Sequence, residues 1–490
     1  MMRSPLVGLL ALLGFATSAA GQNFDRAAID REVQAAMRFW NVPGVGFVVV
    51  GPDKTYLKGF GVREAGKSDA VTPDTIFPLA SCTKAFTSLA LAILVGEGKL
   101  SWDDPVRKHL PDFHLADAKA DALVTIRDLL CHRTGVGGHD LLWYRAPWNQ
   151  DESIRRICKM PPDGPFRSSF AYQSIMYMAL GKIIAGRHPK GWEGFVRERI
   201  LESLGISAHL TTTDVVKSSD AASGHRLGSE HVEVMPRYPI PEPNPSGSIH
   251  LSARDLGRWL QFQLGDGAWN DKRLVKAEAL AETHKPHTLI PMNSMAKDLN
   301  PETVQLSYAM GWVVQDYRGV KVISHSGWID GFRCQLTLLP DHHLAFGILA
   351  NLDGTRMNLA LSNRMIDLLL DLPEKNWNAY FGQLLMRTTR RKLEADRRRA
   401  AARRPENKPT LPLNEYVGEY EHPAYGVCKV SLQGDDLIWE WSSFKKRIDH
   451  YDGDTFEIHE PVLADSLVSF QVKDNKVTAV HVLDLDFRRR

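Results

Sequence analysis

Leu79-Ala80-Ser81-Cys82-Thr83-Lys84-Ala85-Phe86 opens a segment that runs on through Leu89, Leu91, Ile93, Leu94 and Val95 to Gly96 and Gly98. From Ala85 it is apolar on every side, so as a helix it belongs inside a large core rather than on a surface. Ser81 stands where that helix begins, and the expectation is that its oxygen caps free N–H groups there, at the dipole's positive end. Lys84 follows one turn later on the same face. Burial disfavours the charged form of a lysine and lowers its pKa, which suits it to take a proton from a neighbouring hydroxyl. Ser-x-x-Lys thus brings a nucleophile and a candidate base together. The same spacing recurs at Ser294/Lys297, Ser442/Lys445 and Ser443/Lys446, but none of these opens a long apolar helix.

A chain of 490 residues implies two or more domains, one of them large enough for a sizeable core. A formal net charge of +2 gives no global pointer to nucleic acid or an anionic membrane, so no nucleic-acid partner is expected. Residues 1–21 read as a signal peptide: Met1-Met2-Arg3, an apolar Leu6–Phe15, then small residues ending at Ala20-Gly21. No later run approaches the roughly 18 apolar residues of a membrane span. The mature protein is therefore expected to be periplasmic or secreted, without a span. Cys82, Cys131, Cys158, Cys334 and Cys428 are odd in number, widely spaced and form no C-x-x-C pair. That argues against a disulfide framework or a zinc site, although one disulfide is permitted. Without an H-E-x-x-H, an EF-hand pattern or a convincing nucleotide loop, neither cofactor nor metal is implied.

Along the chain, Phe24–Trp40 has helical spacing, and Gly44–Val50 with Thr55–Val62 reads as a hairpin turning at Gly51-Pro52-Asp53. Val124–Leu130 begins a short helix ending in Cys131-His132-Arg133-Thr134-Gly135, and Gly135–Gly138 is a tight turn. Tyr172-Gln173-Ser174 precedes a helix through Met178, Leu180, Ile183 and Ile184. Asn244-Pro245-Ser246-Gly247-Ser248 is a turn, and Ser252 caps a helix containing Leu256, Trp259 and Leu260. Apolar runs at Val320–Ile323, Gln335–Leu339 and His343–Leu352, with turns at Gly327–Gly331 and Pro340-Asp341-His342, suggest an antiparallel meander. A helix over Asn358–Leu370 closes the large domain. The expected class is α+β: an antiparallel sheet flanked by helices, plus an all-helical lobe. Arginine and alanine then dominate Arg387–Arg404, read as a solvated helical linker. Tyr416–Phe487 alternates apolar and polar residues between turns, as in a small all-β barrel of roughly 80 residues. The divisions are 22–385 for the large domain, 386–411 for the linker and 412–490 for the barrel.

Three separated features could converge on Ser81. They are Lys84, the phenol of Tyr172, and Ser324-His325-Ser326-Gly327-Trp328 at the end of a strand. A phenol beside a lysine cation is expected to have its pKa lowered and to relay a proton. His325 supplies a charge that switches near neutral pH, and Gly327 lets a ligand approach the backbone.

Phe77–Lys84, Tyr172-x-Ser174 and His325-x-Gly327, in that order, resemble the three motifs of the serine β-lactamase-related hydrolases. That group includes class C β-lactamases, penicillin-binding carboxypeptidases, D-aminopeptidases and esterases. The flanks Ile126–Gly135 and Ser252–Leu256 agree, and the likeness spans roughly residues 25 to 372. It implies a β-lactamase/transpeptidase-like fold, followed by a lipocalin-like barrel that in some members shapes the site entrance or mediates homo-oligomers. It also implies Ser81 as acylated nucleophile, Lys84 as its base, Tyr172 as proton shuttle, and His325 where β-lactamases place a lysine. The backbone N–H groups of Ser81 and Trp328 would form the oxyanion hole, and Ser174, Ser326 and Gly327 would touch substrate. Ser174 replaces the family's asparagine and has a shorter reach. Histidine, with an ordinary pKa of about 6.5, offers no permanent cation for a substrate carboxylate. The expected activity is hydrolysis of esters or small amides and peptides. The alternatives are a β-lactamase or DD-peptidase acting on β-lactams or peptidoglycan peptides, and a non-catalytic cell-wall or peptide-binding protein.

Overall fold

The computed structural model describes residues 24–228 and 231–490, so the expected signal peptide lies outside the described residues. One edge of its large sheet is the hairpin of β1 (Gly44–Val50) and β2 (Thr55–Gly61), closed by the Gly51 N–H donating to the Lys54 carbonyl at 2.8 Å. Every residue of β1 is buried, as an apolar run covered on both faces must be. Strand alternation sends Val45, Phe47 and Val49 to one core and Val48 and Val50 to the other. On the first side lie α1 (Arg26–Trp40) and the later helix Met357–Leu369; on the second lies Ala253–Leu264.

The sheet has eight antiparallel strands. In chain order the remaining six are β3 (Thr288–Leu289), β4 (Leu306–Tyr308), β5 (Val313–Tyr317), β6 (Val320–Ile329), β7 (Phe332–Leu339) and β8 (Leu344–Ala350). Their order across the sheet is β2-β1-β8-β7-β6-β5-β4-β3. The meander is β6-β7-β8, but β6 continues straight through the stretch expected to turn. Gly327 pairs with Cys334 and Trp328 with Arg333, which shortens the turn to Asp330-Gly331, with Gly331 at φ +83°.

The helical lobe is built on α2 (Thr83–Gly96), in which every residue from Thr83 to Leu94 is buried. Trp259 of the Ala253–Leu264 helix stacks on Phe86 with centroids 3.6 Å apart. Beyond the sheet, the helix Trp377–Ala402 begins with Trp377, Phe381 and Leu384 buried in the large domain. Its arginine-rich middle is exposed. Near its end the Arg399 guanidinium meets the Glu457 carboxylate at 3.1 Å and the Asp465 carbonyl at 2.8 Å. These partners belong to a closed eight-stranded barrel running from Gly418–His422 to Leu485–Arg489.

The barrel also packs on the helical lobe. Arg156 donates to the Tyr425 carbonyl at 2.6 Å and stacks 4.1 Å over Trp148, whose ring meets Trp441 of the barrel. All five cysteines are free and buried, and the Cys82 and Cys334 sulfurs lie in contact at 3.6 Å without a bond. No described helix is long and apolar enough to cross a membrane.

Candidate active site

Ser81 does not cap α2 as expected. It lies in a tight 3₁₀ turn, Ala80–Cys82; Cys82 takes the cap position, and no side-chain oxygen bonds there. Ala80 is held at φ +44°, a left-handed backbone that costs a non-glycine residue about 1–3 kcal/mol. The surroundings over-determine this conformation. The Leu79 N–H donates to the Ile249 carbonyl at 2.8 Å, and the Leu79 carbonyl accepts from the Cys82 N–H at 3.0 Å and from the Cys334 thiol at 3.0 Å. Strand β6 presses against the same turn: a Cβ on Gly327 would come within 2.2 Å of the Leu79 oxygen, so only glycine fits.

Lys84 is fully buried, and among the described residues its Nζ reaches only neutral oxygens. It lies 3.2 Å from Ser81 Oγ, 3.4 Å from Ser174 Oγ and 3.1 Å from the Ser246 carbonyl. The rings of Tyr172 and Tyr177 lie beneath it, 4.9 and 5.4 Å from centroid to Nζ. Desolvation pulls its pKa down to about 7, against a weaker opposing pull from Asp140. At neutrality much of the amine is therefore unprotonated.

Tyr172 stands at the mouth of the helix Ser174–Ala185, whose first turn is capped by Gln173. Its phenol is pushed above the usual range, the reverse of the expected lowering. Burial outweighs the other influences, and the contact with Ser81 only partly opposes it. The phenol therefore keeps its proton at neutral pH.

His325 is buried in β6 with both nitrogens engaged: Nδ1 with the Ser326 carbonyl at 2.7 Å and Nε2 with the Tyr308 hydroxyl at 3.0 Å. Burial first, and then the Lys84 charge, lower its pKa to about 3. It is thus neutral at physiological pH rather than the switchable charge expected.

A cavity of about 1530 Å³ opens over this cluster, larger than the roughly 300–1,000 Å³ of ordinary ligand sites. Ser81, Tyr172, Ser174 and Trp328 line it, whereas His325, Ser326 and Gly327 do not. Aromatic rings of Trp143, Tyr144 and Tyr238 form one side, and the barrel supplies another through Tyr425, Val462 and Leu485. The Tyr425 hydroxyl lies 3.1 Å from His139 Nδ1 across that junction. The lining carries seven carboxylates, among them Asp140, Asp163 and Asp484, against Arg145 and Arg226. No group of three or more metal-ligating side chains occurs among the described residues.

Several of these participants had no sequence signal of their own. Ser246 lies in a recognisable Pro-Ser-Gly turn, but only folding brings its carbonyl to Lys84. The turn is tied to α2 by Thr87 Oγ1 donating to the Pro245 carbonyl at 2.7 Å and by Thr83 Oγ1 accepting from the Ile249 N–H. Tyr308 sits in a strand too short to show alternation. The barrel's side of the cavity comes from turns and strand ends that look like any others.

Comparison with known proteins agrees with this fold. The Beta-lactamase family profile matches residues 29–370, and that of DUF3471, a domain of unknown function, matches residues 402–490. The protein named unguisins hydrolase ungD' from Aspergillus campestris is 30% identical over 420 residues, covering 80% of this chain and 75% of that protein. The octameric penicillin-binding protein homologue from Pyrococcus abyssi superposes with a TM-score of 0.64 at 22% identity, covering 94% of this chain and 99% of that one. The D-amino acid amidase from Ochrobactrum anthropi superposes at 0.58 and 21% identity, covering 70% of this chain and 98% of that one.

Proposed function

The chain belongs to the beta-lactamase family and is a serine hydrolase of that superfamily, and from this premise we propose that Ser81 is the nucleophile of an acyl-enzyme mechanism. The observation that carries the reading is the 3.2 Å contact between Ser81 Oγ and a buried Lys84 amine whose pKa is lowered to about 7. Neutral Lys84 takes the Ser81 proton as Oγ attacks the substrate carbonyl. The backbone N–H groups of Ser81 and Trp328 hold the developing oxyanion. Tyr172, still protonated, passes its proton to the leaving group and is reprotonated from the Lys84 ammonium. A water then attacks the acyl ester, its proton returning through the same pair.

The substrate we assign is an ester or a small amide or peptide without an essential carboxylate. His325 is neutral where such a carboxylate would need a cation, and the acidic lining repels anions. The fungal relative is itself named a hydrolase. Export through the leader at residues 1–21 belongs to this reading and is checked by sequencing the amino terminus of protein recovered outside the cytoplasm. Self-association through the barrel is likewise proposed, by analogy with the octameric homologue, and is checked by light scattering.

The test is covalent labelling with a fluorophosphonate followed by a panel of p-nitrophenyl esters, D- and L-peptides and penicillins. Label on Ser81, loss of both label and turnover in a folded Ser81→Ala variant, and ester turnover well above penicillin turnover are expected. An unlabelled wild-type protein would point to a non-catalytic binder, and penicillin turnover comparable to that of esters would overturn the substrate assignment.

A further inference from the structure

Behind Tyr172 stands a residue that the mechanism above leaves unused. His132 follows the short helix Ile126–Leu130 and is buried, at 1% exposure. It adopts a left-handed backbone, φ +53°. This conformation turns its carbonyl and its ring toward the same neighbouring segment. The carbonyl accepts from the Ala171 N–H at 2.9 Å, and the imidazole Nδ1 accepts from the Gln173 N–H at 3.1 Å. Residues 171 and 173 flank Tyr172, so one histidine holds the main chain on both sides of it.

The imidazole also backs the phenol ring, with centroids 4.3 Å apart. Its other neighbours are Tyr308 at 4.6 Å, Tyr177 at 5.3 Å and Phe170 at 6.0 Å. His132 does not line the cavity in which a substrate would sit.

We propose that His132 is the positioning residue for Tyr172, setting where the phenol meets Ser81. The inference rests on the proton-shuttle role given to Tyr172 above. An imidazole suits the task because an unprotonated Nδ1 is an acceptor at the end of a short, flat side chain. Its proton is then on Nε2, which is buried without a hydrogen-bond partner. Burial and the neighbouring Lys84 hold the ring neutral, well below its ordinary pKa. Gln173 completes the clamp by donating to the Gly137 carbonyl while accepting from the Ile175 N–H at 2.9 Å.

The experiment is a double-mutant cycle on the full chain, reading kcat and KM for a p-nitrophenyl ester in wild type, His132→Ala, Tyr172→Phe and the double variant. His132→Ala should lower kcat by about 10²-fold, the cost of misplacing a catalytic group by about 1 Å, while KM changes by less than about threefold. In the Tyr172→Phe background the same substitution should cost less than about threefold more, because the group it positions is already gone. His132→Asn tolerates the left-handed backbone and keeps a side-chain acceptor, so it should recover kcat to within about tenfold of wild type. Should His132→Ala fail to fold, His132→Gly takes its place in the cycle, relieving the backbone while still lacking the acceptor.

An equal loss in both backgrounds, or His132→Asn as slow as His132→Ala, would overturn the inference and leave the role of Tyr172 standing. Tyr172→Phe as fast as wild type would instead remove Tyr172 from the mechanism, and the positioning role with it.

Discussion

The pH dependence of acylation tests the reading at its most exposed point. A lysine of ordinary pKa, about 10.4, is neutral in only about one molecule in 2500 at pH 7. With the value lowered to about 7, roughly half of Lys84 is neutral there, a gain of about 10³ in competent base. The pH profile of kcat/KM for a p-nitrophenyl ester should therefore climb along an acidic limb with its midpoint at about 7. Neither His325, at about 3, nor His132, well below its ordinary value, can generate that limb.

Ser174→Asp is the perturbation. It places a carboxylate where a hydroxyl now lies 3.4 Å from Nζ. An opposite charge at that range favours the ammonium by about 1–3 pKa units, so the limb should move upward to between about 8 and 10. A flat profile through neutrality, or a limb that Ser174→Asp leaves in place, would refute Lys84 as the base. The same shift has a consequence for stability. The folded pKa lies below the unfolded one, so between about 7 and about 10.4 the unfolded chain binds more protons and stability rises with pH. Lys84→Met should abolish that slope along with turnover.

Tyr172→Phe should cost about 10² to 10⁴ in kcat with the fold unchanged by circular dichroism. Asp128 is fully buried between Arg133 at 2.6 Å and Arg167 at 2.8 Å, ahead of the loop that carries His132. Asp128→Asn should destabilise by about 3–5 kcal/mol in urea unfolding, because two guanidiniums lose their shared counter-charge. The Asp128 carboxyl titrates below the usual carboxylate range. Its stabilisation is therefore complete above about pH 4 and lost as pH falls through the depressed value, so the variant should be flatter in acid than wild type. Tyr425→Ala, which opens the barrel's side of the cavity, should raise KM for bulky aromatic acyl donors by about tenfold and leave small acetyl esters little changed.

Periodic or local features were legible in the residues. The largely apolar run after Lys84 announced a core helix, and the alternation of Tyr416–Phe487 announced a barrel, because burial on one or all sides writes itself into spacing. Strands β3 to β5 were not legible: two, three and five residues are too few for a pattern, and their neighbours in the sheet hold them in place. Ser81 was read as a helix cap because its position allowed it. The packing of β6 and the Ile249 segment against Leu79 favoured a strained turn instead.

By itself, the sequence determined which chemical groups are present and where each sits along its own element: a hydroxyl one turn ahead of an amine, a phenol before a helix, a histidine and a glycine on a strand. Tertiary structure alone decided what those groups have become. Burial brings Lys84 toward neutrality, keeps His325 neutral and raises Tyr172, because desolvation depends on every neighbour packed around a group. It also decided that a barrel more than three hundred residues further along the chain closes one side of the cavity above Ser81. Contacts at such separation are set by the packing of whole domains, which leaves no local pattern to read.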